Sequence, residues 1–114
     1  MRVTVVMPAY NVARFAEEAA RSVLAQDWPE LELLAVDDGS TDGTAALLER
    51  VAAGAPGRMR VIRQPNRGAA AARNTGLAVA EGEAIAFMDA DDRWHPGLLS
   101  ALMATLRARP GADL

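Results

Sequence analysis

Four short apolar runs, each followed by a segment with helical periodicity, constrain this chain more than any other feature. The runs are Val3–Met7, Leu31–Val36, Met59–Ile62 and Ala84–Met88. Each is only a few residues long and gives way at once to Pro, Asp or Arg, which suits strands buried on both faces better than helices. After the first run, Val12, Ala16, Ala19, Ala20, Val23 and Leu24 recur at the spacing of one helical face, with Glu17, Glu18 and Arg21 opposite them. Trp28-Pro29 closes that helix, with Trp28 as a packing residue at its end. A second helix carries Leu47, Leu48, Val51 and Ala52 inward, and Gly54–Gly57 forms its exit loop. A third, alanine-rich helix covers Ala69–Ala80 and stops before Gly82. A fourth opens at Pro96, turns Leu98, Leu99, Leu102, Met103 and Leu106 inward and ends at Pro110, after which Ala112-Asp113-Leu114 begins a fifth strand.

Alternating strands and helices build a parallel sheet with helices on both faces, so residues 1–114 read as one α/β, doubly wound domain. The strand order that fits is 3-2-1-4. Ligands of such sheets lie outside the carboxyl ends of the strands, near the point where strand order reverses. Here those ends carry Pro8-Ala9-Tyr10-Asn11, Asp37-Asp38 and Asp89-Ala90-Asp91-Asp92, with Asn66-Arg67-Gly68 at the margin.

Composition narrows the chemistry available to that rim. The 114 residues carry 12 basic and 15 acidic side chains, a net charge of −3, and no cysteine. Disulfides, thiolate metal sites and cysteine nucleophiles are excluded. Every basic residue is arginine, so Schiff-base chemistry, a P-loop lysine and the lysine of a phospho-acceptor receiver domain are excluded as well. The scattered arginines and acidic balance argue against a nucleic-acid partner. No apolar run approaches the roughly 20 residues of a membrane span, so the chain reads as soluble and cytoplasmic.

The clustered carboxylates repel one another unless a counter-charge joins them. Asp89 and Asp91 offer hard oxygen ligands that suit Mg2+ or Mn2+, in an open site completed by water and by the oxygens of a phosphorylated ligand. The alternative is a solvated acidic turn that caps the helix at Pro96. Asp38, at a strand end before Gly39, has the chemistry to accept a hydrogen bond from a nucleobase imide. Ser40, Thr41 and Asp42 read as caps of the helix that follows them. Arg67 and Arg73 suit either a phosphate or a carboxylate partner, Tyr10 either a base ring or loop packing, and His95 reads as a loop residue. Gly76, inside a helix, implies close packing on the sheet.

Taken in order, Val5-Val6-Met7-Pro8-Ala9-Tyr10-Asn11, Val36-Asp37-Asp38-Gly39-Ser40-Thr41-Asp42-Gly43-Thr44, Asn66-Arg67-Gly68 with Ala72-Arg73-Asn74, and Phe87-Met88-Asp89-Ala90-Asp91-Asp92 resemble the family 2 glycosyltransferases. The resemblance implies a GT-A type fold and an inverting transferase that uses a divalent metal and a nucleotide-diphosphate sugar, commonly UDP-linked. By that match Pro8, Ala9, Tyr10 and Asn11 wall the base pocket and Asp38 pairs with the base. Asp89-Ala90-Asp91 is the DXD motif, with Asp91 as metal ligand and Asp89 near ribose and metal. Arg67 and Arg73 lie along the nucleotide-sugar site, and Asp92 supports the motif or caps a helix.

The resemblance covers only the amino-terminal, donor-binding half of the family's catalytic domain. It places the acceptor-binding part and the catalytic base beyond residue 114, so no catalytic residue is named here. The acceptor is a glycan, a lipid or another hydroxyl compound, and the full-length protein works in the cytoplasm or at the cytoplasmic face of a membrane. Part of the sheet is then left uncovered, which favours a homodimer. The competing expectation is a non-catalytic nucleotide-sugar binding or scaffold domain that ends near Leu114.

Overall fold

The computed structural model of the chain describes residues 1–108, and the stop at Pro110 and the fifth strand at Ala112-Asp113-Leu114 lie outside the described residues. Strands and helices alternate as β1 (Val3–Ala9), α1 (Ala13–Leu24), β2 (Leu31–Asp38), α2 (Thr44–Ala53), β3 (Met59–Gln64), α3 (Ala69–Val79), β4 (Ala84–Phe87) and α4 (Leu98–Ala108). The sheet order is β3-β2-β1-β4 and every neighbouring pair is parallel, the doubly wound arrangement expected from the alternation.

Every residue of β2 is buried, as is every residue of β1 except Pro8. One face of the sheet packs Val5, Met7, Leu33 and Ala35 against Ala16, Ala20 and Val23 of α1, Leu48 of α2, and Leu99 and Met103 of α4. The opposite face gathers Val6 and Val36 around Ala72 of α3, with Ile62 and Ile85 beside them. Alternate positions along each strand feed the two layers, the period-2 rule at work.

Three strands run further than their apolar runs suggest, whereas β4 stops at Phe87, one residue short of the expected Met88. β1 continues through Pro8 to Ala9, β2 through Asp37 to Asp38, and β3 through Arg63 to Gln64. The ladder is made by backbone groups, so pairing such as Asp38 with Gln64 persists where hydropathy has already fallen. At the other end of the sheet Glu32, 4% exposed, accepts from Thr4 Oγ1 at 3.1 Å and lies 2.9 Å from Arg60 and 3.7 Å from Arg2. That buried carboxylate ties β1, β2 and β3 together with its charge compensated from both neighbouring strands.

α4 begins two residues after Pro96, because Pro96-Gly97 forms a turn ahead of it. α3 ends at Val79, and Gly82 serves the next turn, where an added Cβ would lie 2.6 Å from the Thr4 backbone nitrogen. Gly76 lets α3 approach the sheet closely. A Cβ there would lie 2.4 Å from Val6 Cγ1, inside the β1 core.

This gives two glycine-to-alanine changes of opposite sign. Gly76→Ala gains about 1 kcal/mol of helix propensity but overpacks against Val6, a cost of about 1–3 kcal/mol, and the urea midpoint should fall. Gly54→Ala, at a right-handed helix end where the new Cβ meets only ordinary contact at 3.5 Å, should leave the midpoint unchanged or raise it.

Candidate functional site

β4 pairs with β1 only from Val3 to Val6, whereas β2 accompanies β1 to Ala9. The last bond between the two strands runs from the Met88 N–H to the Val6 carbonyl at 3.0 Å. Backbone polar groups of alternate residues face the same neighbour, so Pro8 also faces the β4 side. Lacking an N–H, Pro8 leaves no donor unpaired there, and β4 is free to turn away. The parting strands open a cleft of about 420 Å³ lined by Pro8, Ala9, Tyr10, Val12, Asp38, Asn66, Gly68, Ala69, Asp89, Ala90 and Asp91. Segments that the sequence places at three strand ends thus meet in one concavity.

Asp38 is 3% exposed and holds the far wall in place. Its carboxylate accepts the Gln64 Nε2–H at 2.9 Å, the Arg67 backbone N–H at 2.8 Å and the Gly68 backbone N–H at 2.9 Å. Gln64 is itself fixed by Thr75 Oγ1, which donates to Gln64 Oε1 at 2.6 Å. Burial alone would raise the Asp38 pKa, but the hydrogen bonds from Gln64, Arg67 and Gly68, with the Arg67 charge, outweigh it and hold the carboxyl below its ordinary value. Gly39 completes the wall. It has φ +78°, and an added Cβ would lie 2.7 Å from the Asn66 nitrogen, so β2 and the Asn66 turn can touch only through a residue without a side chain.

The loops after β1 and β2 interlock. Three successive backbone N–H groups at the start of α1 donate to side chains of the other loop: Asn11 to Ser40 Oγ at 2.9 Å, Val12 to Thr44 Oγ1 at 3.0 Å and Ala13 to Asp42 Oδ2 at 3.1 Å. In return Asn11 Oδ1 accepts the Thr41 N–H at 2.8 Å, with Asn11 held at φ +50°. Ser40 therefore holds the chain entering α1 rather than capping the helix that follows it, and Thr41 caps neither. Asp42 serves both helices, because its other oxygen accepts the Thr44 N–H at 2.9 Å. Those bonds, the Thr44 side-chain bond foremost, hold the Asp42 carboxyl below its ordinary pKa. Beneath this interlock Asp37 is 3% exposed, and its Oδ1 has no hydrogen-bond partner among the described residues.

The remaining sequence candidates occupy distinct positions. Tyr10 lines the cleft with 47% of its surface exposed. Asn11 is spent on the loop interlock. Arg67 is exposed and contributes its backbone N–H to the Asp38 web, while Arg73 is half-buried on α3, and neither lines the cleft. Trp28 packs on the core and donates its indole N–H to the Met1 carbonyl at 2.9 Å.

On the near wall, one carboxylate oxygen from each of Asp89, Asp91 and Asp92 lies within 4.8 Å of the others, all three residues being exposed. Oxygens bound to one Mg2+ at 2.0–2.1 Å stand roughly 3 Å apart when adjacent and about 4 Å when opposed, so a small closure would let all three residues meet one hard cation. Asp92 joins this group instead of capping α4. That cap is Gln26, 4% exposed, whose Oε1 accepts the Leu99 N–H at 2.9 Å while its Nε2 donates to the His95 carbonyl at 2.9 Å. Ser22 Oγ accepts the Trp94 N–H at 3.0 Å and Glu18 pairs with Arg93 at 2.9 Å. One edge of α1 therefore fixes the chain just beyond the acidic segment.

Because the folded pKa of Asp38 lies below its unfolded value, its stabilisation is complete above about pH 4 and is lost as pH falls through the lowered folded value. Asp38→Asn cannot accept all three bonds, so urea unfolding at pH 7 should show a loss of about 1–3 kcal/mol. The variant should also lose less stability on acidification than the parent.

The sequence matches the family model described as Glycosyl transferase family 2 over residues 4–113. It is 41% identical over 103 residues to an uncharacterized glycosyltransferase of Nostoc sp., covering 90% of this chain and 32% of that protein. It is also 41% identical over 108 residues to the putative teichuronic acid biosynthesis glycosyltransferase TuaG of Bacillus subtilis, covering 94% of this chain and 42% of TuaG. Among solved structures, the mannosyltransferase PcManGT of Pyrobaculum calidifontis, in complex with GDP-Man and Mn2+, superimposes with a TM-score of 0.89 at 38% identity, over 96% of this chain and 33% of that one. S. aureus TarS 1-349 in complex with UDP-GlcNAc gives a TM-score of 0.82 at 32% identity, over 95% and 32% of the two chains. The chain thus spans about a third to two-fifths of the length of these relatives. With the family model matched across nearly the whole of this chain, and its fold shared with solved glycosyltransferases at 32–38% identity, the chain belongs to glycosyl transferase family 2.

Proposed function

We propose that residues 1–114 are the donor-binding part of a glycosyltransferase, taking a nucleotide-diphosphate sugar and a divalent cation in the cleft between β1 and β4. The observation that carries this reading is the meeting of Pro8–Tyr10, Asp38, Gly68–Ala69 and Asp89–Asp91 around one cavity. Pro8, Ala9 and Tyr10 offer an apolar wall to a base ring. Asp38, ionised and pre-aimed by Gln64, offers a carboxylate acceptor, and one of its oxygens receives only the single Gly68 bond, which leaves capacity for a base imide. Uracil is the base we assign, and UDP-linked sugars the donors. TarS, which has been solved with UDP-GlcNAc, supports that choice by similarity, while PcManGT solved with GDP-Man makes guanine the competing base.

The diphosphate has two complementary features to meet. α3 starts at the cleft with Gly68-Ala69, no acidic residue in its first turn and no side-chain cap on its N-cap residue, so its amide end favours an anion. Across the cleft Asp89, Asp91 and Asp92 would hold Mn2+ or Mg2+, with Asp91 as the principal ligand. When bound, the cation supplies charge stabilisation to the departing diphosphate, more in the transition state than in the ground state. Inversion at the sugar needs a carboxylate base on the opposite face, which we assign to polypeptide beyond residue 114 together with the acceptor site. Arg67 and Arg73 reach the donor only if their side chains swing toward α3's amino end. No helix among the described residues is long and apolar enough to cross a membrane. On the α3 and β4 side, Phe87, Leu77 and Val79 remain 47%, 49% and 40% exposed, the surface through which a homodimer would form.

Calorimetric titration of the chain with UDP should show saturable binding in Mn2+ that disappears when the metal is chelated. Asp91→Asn should weaken the metal-dependent binding about tenfold or more, equivalent to about 1.4 kcal/mol, without lowering the urea midpoint. A folded chain that ignores UDP and GDP in both conditions would overturn the donor-site reading. Asp38→Ala should weaken UDP more than inorganic pyrophosphate, and equal losses would show that Asp38 does not read the base.

A further inference from the structure

A second cleft lies at the opposite end of α1 and α2 from the acidic rim, and its charge has the other sign. It has a volume of about 510 Å³ and is lined by Arg21, Arg50 and Arg58 over a floor that includes Leu24, Val51 and Pro56. Among the described residues no carboxylate lines it, in a chain whose net charge is −3. Arg21 sits in the last turn of α1 and Arg50 in the last turn of α2, while Arg58 comes from the loop entering β3. α1 is 12 residues long, so at 1.5 Å per residue the two clefts stand about 18 Å apart along the helix.

The three guanidiniums are unequally compensated. Arg21 gives its Nε–H to Glu17 at 2.9 Å. Arg58, half-buried, gives one Nη1–H to the Leu24 carbonyl at 3.2 Å and pairs with no carboxylate among the described residues. Arg50 is exposed and has no hydrogen bond or ion pair among the described residues. Arginines in the last turns of helices do complement the helix dipole, and that accounts for Arg21 and Arg50 taken singly. It does not account for a third guanidinium, from a different element, lining the same concave surface with no acid between them. Planar guanidiniums grouped on one surface, two of the three unpaired with any carboxylate among the described residues, present the donor set that binds phosphate oxygens.

The geometry points to an anion site in the cleft of Arg21, Arg50 and Arg58 that takes a phosphate group, separate from the donor cleft and independent of any divalent cation. The phosphate belongs to a soluble phosphorylated compound or to an anionic lipid headgroup. The apolar floor of Leu24, Val51 and Pro56 admits the carbon skeleton attached to it.

The test follows backbone amide and arginine Nε–H resonances of the labelled chain as inorganic phosphate is added at constant ionic strength with metal chelated. Saturable shifts confined to the ends of α1 and α2 and to residues 54–58 are expected, weakened at least about fivefold, or 1 kcal/mol, in Arg50→Gln and Arg58→Gln. Arg14→Gln, which removes an exposed arginine from the other end of α1, should bind as the parent does. Arg58→Gln loses its bond to the Leu24 carbonyl, whereas Arg50→Gln removes no protein contact and so keeps the test valid if Arg58→Gln fails to fold. A second arm measures sedimentation with phosphatidylcholine vesicles with and without phosphatidylglycerol. Binding to phosphate supports a soluble ligand, and variant-sensitive binding to phosphatidylglycerol vesicles supports a headgroup. Shifts centred on residues 66–69, an equal response from parent and variants, or no response in either arm would overturn the proposal. The chelator separates this outcome from that of the donor cleft, which needs its metal.

Discussion

Beyond Val6, β1 has a hydrogen-bonding neighbour on one side only, and Pro8 makes that loss free of an unpaired donor. Had an ordinary residue stood there, its N–H would have asked for a partner and drawn β4 onward, closing the sheet over the space the cleft occupies. With β4 released at Phe87, Asp89 and Asp91 come to face Pro8 and Tyr10 across a gap of molecular size. The topology places three strand ends side by side, and the proline separates two of them.

What the strands leave open is then held by side chains of unusual reach. Asp38 fixes the Asn66–Gly68 turn, the segments after β1 and β2 exchange five bonds, and Gln26 with Ser22 pins the chain past the acidic segment. α1 takes part in two of these devices, one at its start and one along its outer edge. It is the rigid body against which both the Pro8–Tyr10 wall and the acidic wall are set. The acidic segment itself has few bonds of its own, the Asp92 N–H to the Asp89 carbonyl being the local one. An acidic rim held at its edges, with few bonds at its centre, can contract when a counter-charge arrives.

The architecture was legible in the sequence because period and punctuation agree at every level. Four apolar runs and four helical faces left one class of fold, and the rule that ligands gather at strand carboxyl ends brought Pro8–Tyr10, Asp38 and Asp89–Asp91 to one rim. Strand ends were read short because hydropathy falls at Asp37-Asp38 and Arg63-Gln64 while the backbone ladder runs on. Supporting residues were hidden for a different reason. Gln64 acts on a residue 26 positions away and Gln26 on one 73 away, and nothing local marks either side chain. Ser40 and Asp42 carried a capping signal that holds in part: Asp42 does bond the start of the helix that follows, while Ser40 bonds only the entry to α1. Capping rules look forward along the chain, whereas these side chains reach back 29 positions to α1.

That borrowed cap has a consequence for how the domain assembles. The Ala13 N–H that opens α1, and the Asn11 and Val12 N–H groups just before it, find their acceptors in residues 40–44, so the entry to α1 is completed by side chains from outside its own sequence. α1 and the β2–α2 loop should then form and open as one cooperative unit, with their amides exchanging hydrogen together although about 30 residues of chain lie between them. The cleft inherits that coupling: Tyr10, which lines it, follows the strand end next to Asn11, so its order in the folded protein depends on a loop formed much later in the chain.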